Sequence, residues 1–322
     1  MTTVFFLIVG FVVLYYGAEW LVRGSASFGH NIGVRPIVIG LTIVAFATSS
    51  PELFVGIVAS YQGKGDIMLG NVIGSNIINI GLILGISAVV SPLVCRVRTI
   101  KTEVPIMLAV SVALFLLSLD STINRMEGVL LFLGIVAFIW FSYSSGVREK
   151  NLKEDLVPAE LKKIVVSEHR MAKEVGLMVG GLLGLVVGAY LLVESAVVIA
   201  RTIGVSEKFI GLTLLAGGTS LPELATSIVA ALRKQPDITV GNIIGSNIFN
   251  ILSIVGIVAM IKPISMTHGF IQSGFIIDYA IMLLFSFLLL AVMRTGYVIS
   301  RLEGAVLMAL YSSYIVWLSI QG

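Results

Sequence analysis

Long unbroken apolar runs, separated by short polar breaks, organise this chain. They predict ten helices, at about 4–22, 37–61, 66–90, 103–118, 128–144, 175–199, 208–232, 237–261, 277–293 and 302–320. Roughly 20 apolar residues cross a bilayer as a helix. The short alternating segments of an outer-membrane barrel are not what these runs look like. The expected fold class is an all-α polytopic membrane protein with ten transmembrane helices. No Lys or Arg precedes Arg23 and the first run is long, so the N-terminus is read as a span rather than a cleavable signal.

Composition agrees. Of 322 residues, 57% are hydrophobic and only 12% charged. That charge share is about half that of a soluble domain. A soluble enzyme, a disordered chain and a nucleic-acid binder are excluded. The single Cys95 excludes an internal disulfide and a Cys-based metal cluster. The net charge of +3 comes from few ionic groups and changes nothing.

The placement of Lys and Arg predicts orientation. The breaks after even-numbered spans hold Lys64, Arg125, Arg201, Lys208 and Lys262, which is 5 of the 21 basic residues. The other 16 follow odd-numbered spans. Seven of those lie in or beside the polar stretch 145–174: Arg148, Lys150, Lys153, Lys162, Lys163, Arg170 and Lys173. That stretch mixes acids with bases, is too short for a regulatory domain and reads as a solvated connector. The expectation is a cell (plasma) membrane protein with a cytoplasmic linker and both termini outside.

Residues 39–92 align without a gap to 210–263, with 29 identities in 54 positions. The first copy reads IGLTIVAFATSSPELFVGIVAS, then DIMLGNVIGSNIINIGLILG; the second reads IGLTLLAGGTSLPELATSIVAA, then DITVGNIIGSNIFNILSIVG. The offset of 171 persists upstream, where Gly10 matches Gly181 and Gly17-Ala18 matches Gly188-Ala189. Arg125, Glu127 and Gly128 match Arg301, Glu303 and Gly304 at an offset of 176. The repeated unit is therefore five helices: 1–144 and 175–322, around the linker 145–174. Five is odd, so copies in series enter the membrane with opposite orientation. The expected architecture is two inverted five-helix repeats.

Glu52 and Glu223 lie mid-span at equivalent positions. A carboxylate there is costly unless paired or solvated, and marks function. Each follows a proline, in Ala47-Thr48-Ser49-Ser50-Pro51-Glu52 and Gly218-Thr219-Ser220-Leu221-Pro222-Glu223. Proline lacks an N–H, so Pro51 frees the carbonyl of Ala47 and Pro222 that of Gly218, with Ala45 and Ala216 nearby. Ala45, Thr48, Ser49 and Glu52 share a helix face, as do Ala216, Thr219, Ser220 and Glu223. Asn71, Ser75 and Asn79 are spaced by four, and Asn242, Ser246 and Asn250 repeat them. All offer oxygen, which suits hard cations such as Ca²⁺ and Na⁺. His30, His169 and His268 are expected in loops, which argues against zinc or copper. Asp66 and Asp237 read as helix N-caps, and Glu127 and Glu303 as end charges. Glu19 is expected at the interface. Arg23 and Glu194, equivalent but of opposite charge, are not expected to share a ligand role. The glycine stripes Gly70, Gly74, Gly81, Gly85 and Gly241, Gly245, Gly256 read as close helix packing.

The paired segments resemble the α-repeats of the cation/calcium antiporter superfamily, in its sodium/calcium exchanger branch of prokaryotic type. The motif G-[ST]-S-x-P-E followed by G-N-x-x-G-S-N, present twice but for Ala47 in the first copy, carries the resemblance. It implies a calcium centre between the copies with sodium sites around it. The implied ligands are Glu52, Glu223, Thr48, Ser49, Thr219, Ser220, the carbonyls of Ala45 and Ala216, and Ser75, Asn79, Ser246 and Asn250. Ala47 stands where the motif has glycine, and Ser50 where an apolar residue precedes proline. Asn250 stands where potassium-dependent relatives carry Asp, which argues against potassium transport. Gly74 and Gly245 stand where proton-coupled relatives carry Glu. The resemblance also implies electrogenic exchange and sliding of spans 1 and 6. The reading is a secondary transporter, not an enzyme, that exchanges Na⁺ for Ca²⁺ in the lipid bilayer. No cofactor and no obligatory protein partner are expected. An H⁺/Ca²⁺ antiporter and a cation channel are the alternatives. No H-E-x-x-H or G-x-S-x-G motif supports an intramembrane hydrolase.

Overall fold

The computed structural model describes residues 2–154, 168–204, 216–266, 269–271 and 274–321. The middle of the linker with Lys162 and Lys163, the stretch 205–215 with Lys208, and His268 lie outside the described residues.

The apolar runs become helices α1 Thr2–Ile32, α2 Pro36–Thr48, α3 Ser50–Tyr61, α4 Gly65–Val90, α5 Val97–Ser118, α6 Arg125–Glu154, α7 Glu168–Thr202, α8 Leu221–Leu232, α9 Pro236–Ile261, α10 Phe275–Arg294 and α11 Arg301–Gln321. Among the described residues, eight are long and apolar enough to span alone, and α2 with α3 forms a ninth span bent by 44°. The predicted span 208–232 is described only from Ala216, and its first part lies outside the described residues. Several helices outrun their apolar cores: α1 carries His30 in its last turn, and His169 lies within α7, so neither stands in a loop. Helices α6 and α7 likewise reach into the predicted linker.

The protein is not wholly α. Strands β1 Leu93–Val94 and β4 Val298–Ile299 pair antiparallel, as do β2 Thr122–Ile123 and β3 Ile264–Ser265. These two-residue pairs satisfy backbone groups where the chain turns between helices. By the repeat offsets, β3 corresponds to β1 and β4 to β2. Each strand thus pairs with the non-equivalent strand of the other copy.

Glycines make the same exchange. A Cβ on Gly17 would lie 2.6 Å from Leu185 N and 2.9 Å from the Gly181 carbonyl, and one on Gly10 would lie 3.1 Å from the Gly188 carbonyl. No side chain fits there, so α1 and α7 touch backbone to backbone. A Cβ on Gly128 would lie 2.9 Å from the Gly256 carbonyl, and one on Gly85 would lie 2.9 Å from the Gly304 carbonyl. In lipid no hydrophobic force separates helix from solvent, and such close van der Waals seams hold helices together.

The core lies along α9 and α4. They are buried over 89% and 72% of their apolar windows, against 39% or less for the other unbent spans. Both relax into a π-helical turn at equivalent places, Asn79–Leu84 and Asn250–Val255. Such widenings collect at functional sites.

Asp66 and Asp237 are not caps. The N-cap positions are Lys64 and Gln235, without side-chain cap bonds, and each Asp stands in the first turn. Asp237 is taken up by Arg96 at 2.5 Å. Glu19 pairs with Arg233 across α1 and α8, its Oε2 accepting from Nε at 2.9 Å. Glu127 and Glu303 do sit at helix starts, in reciprocal capping boxes with Asn124 and Ser300.

Candidate ion-binding site

The break between α2 and α3 builds the first half of the site. Pro51 cannot donate to Ala47, and the chain turns at Ser49 (φ −82°, ψ 5°). Ser220 repeats this geometry before Pro222 (φ −88°, ψ 6°). Each break stops a helix just before a glutamate and turns its hydroxyls inward. Thr48, Ser49, Glu52, Ser220 and Glu223 are all buried.

The two copies interlock through these hydroxyls. Ser49 Oγ donates to Glu223 Oε1 at 3.1 Å, and Ser220 Oγ donates to Glu52 Oε1 at 3.2 Å. Ser75 Oγ also reaches Glu52 Oε1 at 3.4 Å and lies 3.3 Å from Ser220 Oγ. Thr48 Oγ1 reaches the Ala45 carbonyl at 3.3 Å, Asn242 Oδ1 at 3.2 Å and Ser246 Oγ at 3.5 Å. Thr219 Oγ1 donates to Asn71 Oδ1 at 3.5 Å. Thus Ser49, Ser75 and Ser220 contact the two carboxylates, Thr48 joins Ser246 beside the Ala45 carbonyl, and Thr219 joins Asn71. The backbone of Ala216 opens the short turn Ala216–Gly218 ahead of Thr219.

Asn79 and Asn250 join through two residues that the spacing argument passed over. Asn79 Nδ2 donates to Asn247 Oδ1 at 3.2 Å, and Asn250 Nδ2 donates to Asn76 Oδ1 at 3.0 Å. Asn76 and Asn247 close the G-N-x-x-G-S-N motif, and their duplication there was the available signal.

A buried acceptor without a donor is costly. Glu52 Oε2, Glu223 Oε2, Asn79 Oδ1 and Asn250 Oδ1 are all buried without a hydrogen-bond partner. They form two equivalent pairs, one from each copy. Among the described residues no group of three or more His, Cys, Asp or Glu could hold a metal ion. The donor set is two carboxylates with neutral oxygens, which suits a hard cation.

Both departures from the motif have local consequences. A Cβ on Gly218 would come within 2.7 Å of Val193, whereas Ala47 is accommodated with its methyl buried. Ser50 Oγ donates to the Phe46 carbonyl at 2.9 Å, stitching the first break with a bond that Leu221 cannot make.

The family model described as sodium/calcium exchanger protein matches residues 2–144 and 173–320. The chain is similar to the sodium/calcium exchanger MaX1 of Methanosarcina acetivorans, at 32% identity over 98% of this chain and 99% of that one. It is also similar to the inner membrane protein YrbG of Escherichia coli, at 37% identity over 87% and 85%. The solved structure of the sodium-calcium exchanger NCX_Mj superposes with a TM-score of 0.83, at 31% identity and 98% coverage of both chains. The chain is an integral membrane protein of the sodium/calcium exchanger family.

Proposed function

We propose that the protein exchanges Na⁺ for Ca²⁺ across the cell membrane by alternating access, independently of potassium and with net charge movement. The buried, unpartnered oxygens of Glu52, Glu223, Asn79 and Asn250 carry this reading. Two carboxylates in a poor dielectric oppose crossing without a cation. One Ca²⁺ neutralises them, as do two Na⁺, and a third Na⁺ would leave one positive charge. Ca²⁺ and Na⁺ both accept flexible oxygen cages, so competition for shared ligands couples the fluxes. The ligands proposed are Glu52, Glu223, Thr48, Ser49, Thr219, Ser220, Ser75, Asn79, Ser246, Asn250 and the carbonyls of Ala45 and Ala216.

The proposed frame is two inverted five-helix units, 1–144 and 175–322, joined by a cytoplasmic linker at 145–174 with both termini outside. The crossed strand and glycine pairings support it, since β1–β4 joins two breaks assigned to one side of the membrane and β2–β3 two assigned to the other. Inverted units allow one sequence to pack in two mirrored states.

The deciding experiment is ⁴⁵Ca uptake by proteoliposomes under an outward sodium gradient. Uptake should need the gradient, ignore potassium and respond to membrane voltage. Uptake that follows ΔpH in sodium-free buffer would replace sodium with protons, and conductance without obligatory exchange would make the protein a channel.

A further inference from the structure

We infer that Asn76 and Asn247 are positioning residues that aim the amide oxygens of Asn250 and Asn79 at the transported ions. The inference rests on the site proposed above. An amide has one accepting oxygen and one donating nitrogen, so fixing the nitrogen fixes where the oxygen points. Asn250 Nδ2 is held by Asn76 Oδ1 at 3.0 Å, and Asn79 Nδ2 by Asn247 Oδ1 at 3.2 Å. Both bonds cross between the copies. The oxygens at the other end of these amides, Asn250 Oδ1 and Asn79 Oδ1, are left buried and without a partner. Asn79 lies four residues after Ser75, on the helix face whose hydroxyl reaches Glu52.

The positioning residues are themselves oriented. Asn76 Nδ2 faces the Asn247 carbonyl at 3.4 Å and Met282 Sδ at 3.7 Å, and Asn247 Nδ2 faces Met107 Sδ at 3.5 Å. A flipped Asn76 would turn its NH₂ toward the NH₂ of Asn250 and its oxygen toward two acceptors. The chain of orientation therefore runs from a sulfur on α10 through Asn76 to Asn250, and from a sulfur on α5 through Asn247 to Asn79. Aspartate at 250 could not donate to Asn76 when ionised, so this device belongs to a site that carries an amide there.

Sodium-driven ⁴⁵Ca exchange in proteoliposomes tests it with N76A, N250A and N76A/N250A. N76A should raise the KM for Ca²⁺ about tenfold and leave kcat within about twofold, and N76A/N250A should be no worse than N250A alone. Two residues acting through one interaction are non-additive in such a cycle. A wild-type KM in N76A, or effects of N76A and N250A that multiply, would overturn the inference. N247A, N79A and N247A/N79A give a second cycle with the same criteria if N76A does not elute as a monodisperse protein. E52Q runs alongside. Full exchange in E52Q sinks the site itself, whereas a dead E52Q beside a wild-type N76A overturns only the positioning role.

Discussion

Ser49 Oγ donates to Glu223 Oε1 across the boundary between the two sequence copies, at 3.1 Å, and Ser220 returns the bond to Glu52. Each carboxylate takes a bond from the other copy, and Glu52 takes a second from Ser75 of its own. The site therefore exists only where both breaks meet.

Removing one carboxylate should abolish transport. E52Q and E223Q each keep the side-chain volume but leave one negative charge to balance a divalent ion. The expected outcome is exchange at background in both, measured as gradient-driven ⁴⁵Ca uptake. Full activity in either variant would refute a shared site.

The serines should matter less. A hydrogen bond to a charged group contributes about 1.5–3 kcal/mol, or roughly ten- to a hundredfold. S49A and S220A should therefore weaken exchange within that range, and by similar factors, because their roles are equivalent. A loss in S49A with none in S220A would break the equivalence.

Bulk at the α1–α7 seam should unfold the protein rather than tune it. A Cβ at Gly17 meets backbone at 2.6 Å, so G17V must push the helices apart. Overpacking costs about 1–3 kcal/mol, often more where backbone has to move. The thermal midpoint in detergent should drop sharply, while G176A, where a Cβ meets nothing within 4 Å, should leave it unchanged.

Cys95 should be inert. Burial, aided by the Asp237 and Glu303 carboxylates and opposed by a backbone hydrogen bond from Ile299, pushes its thiol up to about 12. A raised pKa means that the reactive thiolate is scarce below that value. Maleimide at pH 7 should label denatured protein and spare folded protein, as mass spectrometry would read out. Rapid labelling of the folded form would show that the strand pair β1–β4 opens.

The helices were legible because their apolar runs are long, and the carboxylates because so few charges interrupt those runs. Glu52 and Glu223 stood out twice, through depth and through duplication. What the pattern hid is mostly relational. Nothing local to Asp237 announces Arg96, 141 residues away, so it looked like a cap. Glu19 found Arg233 in the same way. Asn76 was passed over because spacing by four selects Asn79, while the bond that orients an amide comes from the other copy. His30 was misplaced for a simpler reason: α1 runs past its apolar residues, since backbone hydrogen bonds continue a helix after lipid contact ends.

The crossed strands set an order on assembly. β1 leaves synthesis early and finds its partner only when β4 arrives, near the end of the chain. Until then its backbone edge is open, and Gly85 lacks Gly304 to pack on. The first copy therefore cannot complete its packing alone: β1 waits for β4, and α4 waits for α11.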